Sequence, residues 1–169
     1  VQMARRLADE ARIAGVCMEA ELGEVPKPGV SEDTEALTDP DEAAAFVAET
    51  GIDSLAIALG SMHAVVDKHV SIDLDRLKAI RAAVSLPLVL HGSSGVLDGQ
   101  IAEGIRLGLC KVNVATQLNK VFTLAARARL EDDATIVDPR KYLGPARAAM
   151  IEGVRERIRF FGSSGKAAS

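Results

Sequence analysis

Apolar positions along this chain alternate between helical spacing and short unbroken runs, and the alternation repeats. Over residues 1–14, Val1, Ala4, Leu7, Ala8, Ala11 and Ile13 fall near one face of a helix. No Ser, Thr, Asp or Asn precedes that helix as a cap, so it reads as a helix entered in its middle. VCMEA at 16–20 predicts a first strand, and the polar, Pro- and Gly-marked stretch 23–40 predicts a long loop. Asp39 caps a helix with Pro40 at its first position, Ala44, Phe46 and Val47 behind it and Gly51 at its end. SLAIAL at 54–59 predicts a second strand, residues 60–71 a loop, and 73–84 an amphipathic helix through Leu74, Leu77 and Ile80. PLVL at 87–90 predicts a third strand, followed by the loop HGSSG and a helix over 98–107. CKVNV at 110–114 predicts a fourth strand, with a helix over 117–130 behind it. A last helix opens at Asp138 and Pro139 and runs to 161, with Leu143, Ala146, Met150, Val154 and Ile158 spaced for one buried face. The tail at 162–169 is small and polar and is expected to be flexible.

Continuous apolar strands that alternate with helices imply an α/β fold in which helices cover a parallel sheet. One-directional repetition predicts an arc of four strands and not a doubly wound open sheet. The 169 residues, 48% of them hydrophobic, suffice for a core, and one domain is expected over 1–161. A net charge of −4 without a basic cluster argues against nucleic acid or an anionic membrane surface as a partner. A small anion held by local donors stays open. Apolar runs are too short for a membrane span, and no secretory signal opens the chain. Cys17 and Cys110 sit in apolar runs, where buried free thiols and a reducing, cytoplasmic setting are expected.

Glu21, His63, His91 and Asn113 lie at or just beyond the ends of the four expected strands, the positions that line the mouth of a parallel barrel. Two histidines at equivalent strand ends suggest a shared metal. His69 lacks such a placement and reads as a surface residue. HGSSG (91–95) is a turn of small residues whose N–H groups would suit a phosphate, and KVNVAT (111–116) adds Asn113 and Thr116 as donors at the next strand end.

MEAELG (18–23), TGIDSLAIALGSMH (50–63), PLVLHGSSG (87–95), CKVNVATQL (110–118) and DPRKYLGPAR (138–147) follow one another in order over nearly the whole chain. In that order they resemble the signatures of class II fructose-bisphosphate and tagatose-bisphosphate aldolases. The resemblance implies a (β/α)₈ TIM barrel, of which this chain supplies about the last four βα units and the C-terminal helix. It implies a zinc enzyme, with His63 and His91 as two of three histidine ligands and Glu21 near the metal or at a second cation site, divalent or monovalent. Glu32 corresponds to the loop carboxylate that moves the substrate proton. Gly92, Ser94, Asn113 and Thr116 would hold one phosphate, with Lys68 nearby, and Arg140 would reach the other across a subunit boundary. The implied reaction is reversible aldol cleavage of a ketose 1,6-bisphosphate to dihydroxyacetone phosphate and glyceraldehyde 3-phosphate. Zinc would serve there as the Lewis acid in place of a Schiff-base lysine. A homo-oligomeric, cytoplasmic enzyme of glycolysis or related carbohydrate metabolism would fit, a dimer or a tetramer, with a sugar phosphate as its small-molecule partner.

The chain departs from the family pattern in three places. The Asp-His pair of the first barrel half is not among these residues, so the segment alone is expected to be inactive. It is also expected to leave Ile57 and Val89 on an open interior. Ala64 stands where a glycine usually follows the zinc histidine, with the usual lysine displaced to Lys68. EVPKPGVSED replaces the Gly-Gly of the catalytic loop. Two other readings stay open: a non-catalytic, phosphate-binding or stabilising barrel subunit, and a metal-assisted lyase of this class for a different sugar phosphate.

Overall fold

The structure is a computed structural model that describes residues 1–26 and 37–167. It falls into two compact units, Val1–Asn113 and Val114–Ser169. In the first, helix α1 (Gln2–Ala14) precedes strand β1 (Glu19–Leu22), and α2 (Pro40–Thr50), β2 (Ser54–Ile57), α3 (Leu74–Ala83), β3 (Leu88–Leu90), α4 (Asp98–Arg106) and β4 (Leu109–Val112) follow in turn. The strands form one sheet in the order β1-β2-β3-β4, and each neighbouring pair is parallel. Sequential order without a reversal is what a barrel segment requires; a doubly wound sheet would change direction at a switch point.

Local chemistry sets the element ends. The Asp39 carboxylate accepts from the N–H groups of Asp41 and Glu42, Pro40 opens α2, and Gly51 closes it at φ 65°. Asp73 caps α3 by accepting from the Arg76 N–H at 2.8 Å. Thr38, only 1% exposed, ties the ends of β1 and β2 together. Its hydroxyl donates to the Leu22 carbonyl at 2.5 Å and accepts from the Ala58 N–H at 2.8 Å.

Strand register sorts side chains onto two faces, because successive residues point to opposite sides. Ala20, Leu55, Leu88 and Leu109 share one face. It is the helix-covered one: a Cβ at Gly104 of α4 would meet Leu109 at 2.7 Å and Leu77 of α3 at 3.7 Å. Leu55, Leu77, Ile80 and Leu88 are fully buried there. Glu19, Glu21, Ser54, Ala56, Val89 and, beyond it, His91 share the other face. Lys111 joins them through an irregularity in β4. Leu88 pairs with Leu109 but Val89 pairs with Lys111, so Cys110 is an extra residue and parity inverts across it.

Several expectations need correction. β1 begins at Glu19 and not at Val16, because pairing starts where Met18 accepts from the Asp53 and Ser54 N–H groups. Val16 and Cys17 are exposed in the connector that precedes it, and Cys110 is exposed at the irregularity, so neither thiol is buried. On α1 only Ala8 is buried, while Leu7 and Ile13 are exposed. Ile57 does not face the interior, and Val89, which lies on the inner face, is not left open there: both are 0% exposed. Ile57 shares the helix-covered face with Leu55, and Val89 has the long side chain of Lys111 as its cross-strand neighbour.

The second unit is a pair of helices, α5 (Thr116–Asp132) and α6 (Arg140–Phe160). They approach at Gly153, where an added Cβ would come within 3.4 Å of Leu118. The single buried face expected of the last helix is not seen. Ala146 is buried, but Leu143, Val154 and Ile158 each keep 37–42% of their surface, flanking the narrow contact.

The loop from β2 to α3 carries Ala64 at φ 59°, the one left-handed non-glycine residue among those described. For an L-residue that conformation costs about 1–2 kcal/mol, which glycine avoids. Ala64→Gly is therefore expected to raise stability by up to about 1 kcal/mol, once the greater freedom of glycine in the unfolded chain is subtracted. Leu77→Ala is expected to lower it by about 2–5 kcal/mol. Urea unfolding midpoints of the two variants check both signs.

Candidate active site

The C-terminal ends of β2 and β3 deliver the two histidines that matter most. His63 follows β2 in a loop anchored by its own N–H, which donates to the Pro26 carbonyl at 2.9 Å. His91 follows β3 directly, and its carbonyl accepts from the buried Ser61 hydroxyl at 2.8 Å. The two rings stand edge to face, with centroids 6.3 Å apart and planes at 76°. With Zn–N bonds of about 2.0–2.1 Å, two imidazoles at that separation can reach one ion placed between them. The pair thus fits two ligands of a zinc site. Among the described residues no group of three His, Cys, Asp or Glu side chains converges to hold a metal.

Beside His91 lies a carboxylate that sequence reasoning passed over. Glu19 Oε1 is 3.1 Å from His91 Nε2, and Lys111 Nζ donates to Glu19 Oε2 at 2.8 Å. Burial opposes ionisation of Glu19, yet hydrogen bonds and charge from Lys111 and His91 outweigh it and hold the carboxyl below its ordinary range. Glu21, the expected metal neighbour, lies on the same strand face but is exposed. The signal was in the sequence: in MEAEL two carboxylates two residues apart must share a face, and Glu19 is the one that meets the histidine.

The HGSSG turn is built for close packing. Gly92 adopts φ 62°, and a Cβ there would come within 2.8–2.9 Å of the Met62 backbone and of Val25. Ser93 to Gly95 form a buried 3₁₀ turn, in which the Ser93 hydroxyl donates to the Asn113 carbonyl at 2.5 Å. The Asn113 N–H in turn donates to the Leu90 carbonyl at 3.0 Å. Gly92, Ser94 and Asn113 therefore gather at the edge where His91 stands. The helix that follows HGSSG begins at Asp98, as expected.

The remaining candidates are distributed otherwise. Lys68 is paired with Asp98, the first residue of α4. Thr116 opens α5 and Arg140 opens α6, both in the second unit. Arg140 is 88% exposed and forms a two-pronged pair with Asp138, Nη2 to Oδ2 at 2.7 Å and Nε to Oδ1 at 3.0 Å. That pairing holds the Asp138 carboxyl below its ordinary range. Glu32 lies outside the described residues. His69 is exposed, as expected. No helix among the described residues is long and apolar enough to cross a membrane.

Comparison with known proteins bears on the family and the fold. The sequence profile of the family described as fructose-bisphosphate aldolase class-II matches residues 1–166. The chain is similar to the YdjI aldolase of Escherichia coli K12, at 36% identity and a TM-score of 0.80, over 99% of this chain and 56% of that one. It is also similar to a putative fructose-1,6-bisphosphate aldolase of Coccidioides immitis, at 30% identity and a TM-score of 0.81, over 98% and 59% of the two chains. A fructose-bisphosphate aldolase of Campylobacter jejuni, 20% identical with a TM-score of 0.75, shares the fold over 95% of this chain and 56% of its own. The chain thus spans a little over half the length of these structures, and its parallel β/α arc is the corresponding part of their barrel. It belongs to the class II fructose-bisphosphate aldolase family.

Proposed function

We propose that this chain supplies the half-barrel face of a zinc-dependent aldolase that reversibly cleaves a ketose 1,6-bisphosphate, of the fructose or tagatose series, to dihydroxyacetone phosphate and glyceraldehyde 3-phosphate. The observation that carries the reading is the pair of imidazoles, His63 and His91, presented 6.3 Å apart from neighbouring strand ends beside a turn of small residues. Those two residues would hold the zinc together with a third ligand from outside the described residues. Zinc bound there supplies a Lewis acid for the substrate carbonyl.

The chain's own residues do the remaining work. Gly92, Ser94 and Asn113 orient one phosphate and so fix the reacting carbons. Lys68 would assist only after leaving Asp98. Arg140, exposed at the start of α6, suits the second phosphate of a substrate held by another copy in a homo-oligomer. Glu32 takes and returns the proton on the ketose-phosphate carbon. Glu21, exposed on the same strand face as Glu19, suits a second cation. The apolar cover on one sheet face and the polar strip on the other suit a sugar phosphate better than an apolar ligand. Ala64 in place of glycine favours a close variant of the substrate as the second reading, a related ketose phosphate.

His63→Ala and His91→Ala are each expected to strip zinc from the whole protein and to abolish cleavage. Metal analysis alongside a coupled cleavage assay, run with fructose and tagatose 1,6-bisphosphates side by side, checks this. Unchanged metal content and turnover in His91→Ala would reject the reading. Glu32→Gln should retain the metal and lower kcat by about 10²–10⁴-fold, the usual loss when a proton-transferring group is removed.

A further inference from the structure

The polar face of the sheet carries a chain of three side chains from three elements: Lys111 on β4, Glu19 on β1 and His91 after β3. β1 and β4 are the two edge strands of the sheet, so the Lys111–Glu19 contact spans its inner face and is no neighbour-strand pair. Glu19 and His91 keep 26% and 22% of their side-chain surface, so the contact is half-buried and partly shielded from water. Both Glu19 oxygens are engaged, one by the Lys111 ammonium and the other by His91 Nε2, which fixes the carboxylate in place and in plane.

That geometry has a chemical consequence for the ring. A carboxylate paired with an ammonium can only accept, so the nitrogen facing it must be the one that carries hydrogen. A neutral imidazole has one N–H, and its other nitrogen then bears the lone pair. We propose that Glu19, anchored by Lys111, is a positioning residue that fixes His91 as the Nε2–H tautomer and so makes Nδ1 its metal-binding nitrogen. This inference rests on the zinc reading above only for its consequence; the tautomer itself stands or falls without metal. Outer carboxylates of this kind raise the basicity of a ligating imidazole and set its ring orientation, and their loss lowers metal affinity by about 10–100-fold.

The ¹⁵N imidazole signals of this chain's three histidines can be assigned in the whole, metal-free protein with the single variants His63→Gln, His69→Gln and His91→Gln. His91 is expected to show a protonated Nε2 and a bare Nδ1, while exposed His69 serves as the reference for free exchange between tautomers. Glu19→Ala should turn the His91 pattern into that of His69, Glu19→Gln should fall between, and Lys111→Met should loosen it while leaving the carboxylate present. Zinc affinity by chelator competition should drop about 10–100-fold in Glu19→Ala and less in Lys111→Met. A wild-type His91 protonated at Nδ1, or one whose tautomer and zinc affinity ignore both substitutions, overturns the proposal. If Glu19→Ala does not fold, the wild-type spectrum and Lys111→Met still decide. A protein that takes up no zinc yet shows the Nε2–H tautomer and its loss in the variants would support the role of Glu19 while removing the aldolase reading.

Discussion

Everything placed at the candidate site depends on the parallel hydrogen-bonded ladder from β1 to β4. In a parallel sheet all strands end at the same edge, and their side chains alternate between two faces with a period of two. Once Leu55 and Leu88 commit one face to the helices, Glu19, Val89 and His91 have no choice but the other, and the irregularity at Cys110 brings Lys111 to join them. Burial of the leucine face provides the driving force, at roughly 25 cal/mol per Å² of apolar surface. The chemistry on the opposite face is positioned as its by-product, with Glu19 and Lys111 on the strands themselves and His91 one residue beyond β3.

Much of this fold was legible in the sequence because its signals were local and mutually consistent. Asp39, Pro40 and Gly51 spelled out α2 from cap to cap, and the continuous apolar runs of β2 and β3 stood out between helices. What was not legible was relational. β1 starts three residues late because Asp53 and Ser54 determine where pairing begins, and no property of Val16 or Cys17 announces that. The apolar stripes of α1 and α6 were correctly seen as stripes, but periodicity says which side is apolar and not how deeply it is covered.

The site shows the same division. Glu21, His63, His91 and Asn113 could be named from their places at strand ends, where parallel α/β folds gather chemistry. Glu19 could not be preferred over Glu21 without knowing that its oxygens reach across the sheet to His91 and Lys111. Gly92 was read as a donor, whereas its φ and the nearness of Met62 show that glycine is first a steric requirement there. Ala64 was noted as a departure from a pattern, and its backbone explains why glycine is the usual occupant.

The extra residue at Cys110 works as a parity switch in β4. Were the strand to pair regularly through Cys110, Val89 would face Cys110 and Lys111 would pair with Leu90 on the helix-covered face, taking a charge into the apolar layer and leaving Glu19 without its ammonium. The effect of a length change in this strand therefore depends on where it falls. Loss of Cys110 itself would leave Lys111 directly after Leu109 and still opposite Val89, so the partition survives removal of the extra residue as it survives an exchange of side chain at this exposed position. What the sheet holds fixed is the pairing of Lys111 with Val89, and β4 can lose its extra residue without disturbing it.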